Sequence, residues 1–120
     1  IELRLGHWTD AREQLQKAVD LNPRLPLAWN NLGVALYQLN QPAAAFKAWQ
    51  KAIDLQPDLW DTLWNLGTKA AEKGWNQIAL ISLERFIASA PPERYADQLR
   101  QARVYVAMLR RGRSLTGTGG

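Results

Sequence analysis

Residues 26–59, PLAWNNLGVALYQLNQPAAAFKAWQKAIDLQPDL, decide the reading of this chain, because the stretch recurs along it. A shift of 34 residues carries Pro26 onto Trp60 and lays Asn31, Leu32 and Gly33 over Asn65, Leu66 and Gly67. The same shift sets Ala45 on Ala79, Trp49 on Leu83 and Pro57 on Pro91. In the other direction Ala45, Ala52, Asp54, Leu55 and Pro57 find Ala11, Ala18, Asp20, Leu21 and Pro23. Pro26 suits the start of a helix, where its missing N–H is no loss. That helix is expected to reach about Leu39, Asn40-Gln41-Pro42 to make a turn, and residues 43–55 to form a second helix. Gly33 costs a helix up to ~1 kcal/mol against Ala, so a neighbouring helix must touch its backbone, with Ala45 the expected partner.

Working outward, Asp58 is placed to cap a helix from about Leu59 to Lys73, Gly74 to end it, and Asn76 to cap the next, about Gln77 to Ser89. Pro91-Pro92 stops that helix. Tyr95, Leu99, Ala102, Val106 and Leu109 then fall on one face of a helix ending near Arg110, with Arg94, Asp97, Arg100, Gln101 and Arg103 on the other. Such a half-polar helix suits the solvated end of a stack. Upstream, Trp8, Ala11, Leu15, Ala18 and Val19 mark a helix over Thr9–Leu21 that Asn22-Pro23 closes. Residues 1–5, IELRL, read as the last turn of a preceding helix and Gly6 as its turn, which leaves the Thr9–Leu21 helix with an apolar flank to cover. GRSLTGTGG, residues 112–120, has little to bury and reads as a flexible tail or linker.

A 34-residue period with these landmarks resembles the tetratricopeptide repeat (TPR), two antiparallel helices per unit. The family's Trp falls on Trp29, its Leu-Gly on Leu32-Gly33, its alanines on Ala45 and Ala52, its bulky residue on Trp49 and its Pro on Pro57. The resemblance, which covers residues 1–93, implies an all-α fold, a right-handed α-solenoid of antiparallel helix pairs with a C-terminal capping helix. It divides the chain into a partial repeat over 1–25, complete repeats over 26–59 and 60–93, a capping helix over 94–111 and a tail over 112–120. The whole resembles the C-terminal part of a TPR array.

Composition narrows the function. The 120 residues are 47% apolar, which suits a packed domain rather than a disordered one. Residues 1–93 hold nine Lys/Arg against ten Asp/Glu, whereas 94–120 hold six Arg against Asp97 alone, so the net charge of +4 belongs to the C-terminal end. No apolar run approaches ~18 residues, so no membrane span is read. The start at Ile1, within a repeat, leaves room for a lost upstream region, and the compartment stays open, with a soluble cytoplasmic setting slightly favoured. With no Cys there is no disulfide or thiol chemistry. One His and the absence of H-E-x-x-H, G-x-S-x-G and Walker-type loops leave no catalytic residue, metal set or cofactor motif to name. His7 reads as a surface turn residue, and the Asp58 and Asp61 pair as a helix cap and a first-turn carboxylate.

Through the resemblance, the first helix of each repeat lines a concave groove for a peptide segment or partner helix. Its ligand-facing positions fall on Leu27, Asn30, Asn31, Val34, Tyr37 and Gln38, then on Asp61, Trp64, Asn65, Thr68, Ala71 and Glu72, with Arg4 and Tyr95 flanking. Asn31 and Asn65 share one position and are expected to form a ladder of carboxamides toward a ligand backbone. Tyr37 and Trp64 offer flat apolar contact of the kind enriched at binding hot spots. Trp29 and Trp49 are expected in the core, Trp60 and Trp75 partly exposed at helix ends. TPR domains that clamp the carboxyl terminus of heat-shock chaperones carry basic residues where this chain has Asp61 and Asn65, so that subtype does not fit. Arg100, Arg103, Arg110, Arg111 and Arg113 allow non-specific binding to polyanions, but nucleic-acid motifs are absent and a solvated cap explains the arginines equally well. The reading is therefore a non-catalytic scaffold for a protein or peptide ligand. Two others stand beside it: self-association or docking through the incomplete N-terminal repeat, and a non-catalytic accessory region of a larger protein. Residues 86–109 are loosely similar to the closing stretch of TPR regions behind bacterial hydrolase domains.

Overall fold

The computed structural model describes residues 5–112, which form six α-helices and, among the described residues, no strand. Arg4 and residues 113–120, including Arg113 and most of the expected tail, lie outside the described residues. The chain divides between Leu59 and Trp60 into two compact units of three helices each. The adjacent helices pack within each unit, and the fold is all-α, of the kind that the repeat resemblance implies.

In the N-terminal unit α1 spans Leu5–Leu21, α2 Pro26–Gln38 and α3 Pro42–Leu55. Prolines open α2 and α3, and neither start has a side-chain cap. The residue before each is held away from helical geometry, as a following proline requires, with Leu25 at φ −98°, ψ 96°. Asn40 terminates α2 in the left-handed region at φ 60°. There its N–H donates to the Tyr37 carbonyl at 3.0 Å and the Gln41 N–H reaches back to the Leu36 carbonyl at 2.9 Å. These two bonds satisfy carbonyls that the end of a helix would otherwise leave open.

The core of this unit is built from Val19 of α1, Leu32, Ala35 and Leu36 of α2, and Phe46, Trp49 and Ile53 of α3. Trp49 is 2% exposed, donates from Nε1 to the Asn30 carbonyl at 3.1 Å and stacks on Tyr37 at 5.8 Å. Its ring also lies against Gly33: a Cβ there would stand 2.4 Å from Trp49 Cδ1 and Nε1. The close approach expected at Gly33 is real, but its partner is the Trp49 indole rather than Ala45. Trp29, expected in the core, is half-buried, with Nε1 bonded to the Pro23 carbonyl at 2.8 Å.

The C-terminal unit repeats the design with α4 (Trp60–Glu72) and α5 (Asn76–Ser89), then adds α6 (Pro92–Arg110). Gly74, at the repeat position of Asn40, ends α4 at φ 80°, with the same pair of bonds: Gly74 N–H to the Ala71 carbonyl and Trp75 N–H to the Ala70 carbonyl. Gly67 lies against Leu83, whose Cδ2 would stand 2.7 Å from an added Cβ. The apolar face foreseen on α6 is buried at Tyr95, Leu99, Ala102 and Leu109 and half-buried at Val106, while Arg94, Asp97, Arg100, Gln101 and Arg103 are exposed.

Two further local expectations are overturned. Gly6 makes no turn: α1 runs without interruption from Leu5, so His7 is an exposed helical residue. An added Cβ at Gly6 would meet nothing within 4 Å, so no packing there opposes continued helical hydrogen bonding. Asn76 is the first residue of α5 and not its cap; Trp75 holds the cap position, without a side-chain cap bond. The Trp75 N–H closes α4 on Ala70, so the chain turns one residue earlier than the Asn76 side chain suggests.

Candidate interaction surface

On α2, the helix with Leu32, Ala35 and Leu36 buried, the polar positions at Asn31 and Gln38 remain exposed. The Asn30 amide donates to the Asn31 side-chain oxygen at 3.2 Å, which leaves the Asn31 amide directed by a neighbour on its own helix. Leu27 is 60% exposed, at the start of a helix whose other leucines are buried. Val34 and Tyr37 are half-buried, and the Tyr37 ring is spent largely on the Trp49 and Phe46 stack, at 5.8 and 6.2 Å.

On α4, Asp61 and Glu72 are exposed and Asn65 is half-buried. Glu72 lies 3.9 Å from Lys69 in a solvent-exposed ion pair, worth ~1 kcal/mol at most. Thr68 is 8% exposed and turns its hydroxyl back to the Trp64 carbonyl at 2.8 Å, and Ala71 is fully buried. Trp64 is half-buried against Phe86 at 5.3 Å and lies almost parallel to Tyr105 of α6, 6.2 Å away. The sequence reading did not foresee the stack of Trp64 on Tyr105. Its only signal was its place near the edge of the α6 apolar face.

Tyr95, expected to flank the ligand, is instead 4% exposed between Trp60 and Phe86, with ring centroids at 6.2 and 5.5 Å. It sits at a kink in α6, φ −122° and ψ 31°. Burial raises the phenol pKa above its ordinary value, and the hydrogen-bonded, negatively charged Asp61 carboxylate raises it further against the opposing charge of Arg94. Asp61 thus has a structural task in addition to its exposed face. Trp60 Nε1 is buried without a partner among the described residues, and Trp75 is 38% exposed.

Among the arginines of α6, Arg110 pairs with Glu84 of α5 and Arg100 with Asp97. The described residues hold no group of three His, Cys, Asp or Glu side chains that could bind a metal ion, and no helix among them is long and apolar enough to cross a membrane.

Residues 1–59 match the family model of the tetratricopeptide repeat. The peroxisomal targeting signal receptor of Yarrowia lipolytica is 30% identical over 95 residues, 79% of this chain and 16% of that protein. The receptor of the same name from Kluyveromyces lactis is 31% identical over 90 residues, 69% of this chain and 16% of its own length. Superkiller protein 3 of Schizosaccharomyces pombe is 27% identical over 108 residues, 90% of this chain and 8% of that protein. The chain therefore spans about a sixth or less of the length of these curated relatives.

Proposed function

From the premise that this chain belongs to the tetratricopeptide repeat family, we propose that it is a non-catalytic binding module whose first helix in each repeat, α2 and α4, receives a protein segment. A protein–protein interaction role in general follows from the repeats and the repeat-containing relatives. The finer reading takes repeats over 26–59 and 60–93 and rests on one observation: Asn31, exposed, and Asn65, half-buried, share a repeat position on α2 and α4. A carboxamide both donates and accepts, which suits the backbone of an extended segment. Asn30, Gln38, Asp61 and Glu72 add polar contacts, while Val34, Tyr37, Trp64 and Thr68 contribute the smaller areas that their burial leaves. Two relatives are named as receptors for a targeting signal, which supports a polypeptide segment as the ligand class. Affinity capture from the source cells tests this with the parent chain and the double substitution Asn31→Ala, Asn65→Ala. Trp64 is a poor probe, since its removal would open the packing against Phe86 and Tyr105. Proteins held by the parent and lost from the substituted chain support the reading; the same proteins on both would end it.

A second reading is favoured by α1, where Trp8 and Leu15 are only half-buried and Leu21 is 87% exposed. That flank suits a second copy or a neighbouring region of a longer protein. Sedimentation of the parent beside Trp8→Ser, Leu15→Ser distinguishes the two, because only self-association predicts a fall in mass.

A further inference from the structure

A cleft of about 280 Å³ lies within the N-terminal unit, formed by α1, α2 and α3. Its apolar lining comes from Trp29, Leu32 and Leu36 of α2, and the small side chains Ala44 and Ala48 of α3 make room for it. The following repeat carries Ile78 and Ser82 at those two alanine positions, so the small pair is particular to this repeat. Trp29 is fixed by its indole bond to the Pro23 carbonyl, which gives the cleft a rigid aromatic side.

The charged residues lining the cleft are Lys47 and Lys51. They stand one helical turn apart on α3, both exposed, and neither has an ion pair or hydrogen-bonded side chain among the described residues. In the following repeat these positions hold Ile81 and Arg85, so the lysine pair is as particular as the alanine pair. Gln16 supplies the α1 side, and its amide donates to Asp20 at 3.0 Å, which engages that carboxylate.

The cleft is slightly smaller than the ~300–1,000 Å³ of sites that enclose small molecules and cofactors. It fits one or two bulky side chains. Two ammonium groups with no partner among the described residues, beside apolar space, call for an apolar side chain flanked by carboxylates. A helix with acidic residues one turn apart repeats the Lys47 to Lys51 spacing. We propose that this cleft is a second docking site, which takes an acidic amphipathic helix of a partner protein: one bulky apolar side chain enters beside Trp29, and its acidic neighbours pair with Lys47 and Lys51. The site shares no residue with the ligand-facing positions of α2 and α4 and stands independently of them.

The test uses the full chain and a fluorescein-labelled helical peptide bearing Leu and Phe one turn apart on one face with Glu on both flanks. Its twin has every Glu replaced by Lys. By fluorescence anisotropy the Glu peptide binds at least about tenfold more tightly than the twin, the difference shrinking with added salt. Lys47→Glu, Lys51→Glu reverses the order of the two peptides. Ala44→Ile, which installs the residue that the following repeat carries, weakens the Glu peptide about tenfold through the loss of apolar room. Asn31→Ala, Asn65→Ala leaves its binding unchanged. Equal binding of the twins, binding of neither, or Glu-peptide binding indifferent to both cleft substitutions overturns the proposal. Loss only in the Asn31, Asn65 variant also overturns it and assigns the peptide to the α2 and α4 faces.

Discussion

Replacing Gly33 by Ala tests the packing at the centre of the N-terminal unit. A mid-helix Gly→Ala change ordinarily stabilises by up to ~1 kcal/mol through backbone entropy. Here the new methyl would stand 2.4 Å from two atoms of Trp49 and 3.0 Å from a third, well inside contact distance. Trp49 cannot yield freely, because its ring is 2% exposed, stacks on Tyr37 and is tied through Nε1 to the Asn30 carbonyl. Overpacking of this kind costs ~1–3 kcal/mol, and a displaced indole forfeits a hydrogen bond worth about 1 kcal/mol. Against the helical gain, the net expectation is a loss of about 2 kcal/mol, roughly 5–10 °C in Tm for a chain of this size. Thermal unfolding followed by far-UV circular dichroism measures it. The control is Gly33→Ala combined with Trp49→Leu, the residue at that position in the following repeat. A leucine there must also shift, since Leu83 stands 2.7 Å from a Cβ added at Gly67, but no hydrogen bond ties it; Ala at position 33 should therefore cost about 1 kcal/mol less in that background than beside Trp49, a coupling that only residues in contact show. A Tm for Gly33→Ala that is unchanged or raised would refute the close approach of helix and indole.

Other expectations follow from single groups. Gly74→Ala, which forces a Cβ into the left-handed region at φ 80°, should destabilise by about 1 kcal/mol, whereas Asn40→Gly should be neutral or slightly stabilising; urea midpoints measure both. Trp60→Phe keeps a ring against Tyr95 and removes the unpartnered buried Nε1, so stability should hold or rise by up to ~1 kcal/mol. The raised pKa of Tyr95 makes its native phenol hold the proton more tightly than the unfolded one. Its contribution is therefore intact below the ordinary phenol range and lost as pH climbs above about 10. Asp61→Asn should lower that pKa without abolishing the shift, because burial is its largest cause; phenolate absorbance during alkaline titration reports the change.

The fold was legible because packing recurs at fixed repeat positions: the Leu-Gly pairs, the bulky residue at Trp49 and Leu83, and the alanines betray a buried interface by residue type alone. Its details depended on atoms that residue type does not place. Gly33 announced a close neighbour, but only the orientation of the Trp49 ring identifies it as the indole and not Ala45. Asn76 looked like a cap, yet the backbone bond from Trp75 to Ala70 sets the start of α5. The candidate surface was legible less fully, since exposure depends on distant chain. Thr68 is polar but buried, its hydroxyl satisfied within its own helix, Tyr95 packs between Trp60 and Phe86, and Trp64 meets Tyr105 from a helix far along the sequence. Asn31 is exposed and its bond is local, so its exposure depended on no distant part of the chain.

The central claim, that α2 and α4 face the ligand, is tested most directly by photo-crosslinking. A benzophenone amino acid is placed at Gln38 and, separately, at Glu72, which share a repeat position and are both exposed. Ser89 and Arg103, also exposed, serve as control positions. Irradiation in extracts of the source cells should attach one and the same protein at Gln38 and Glu72 and not at the controls. Adducts confined to the control positions, or different proteins at the two test positions, would contradict it.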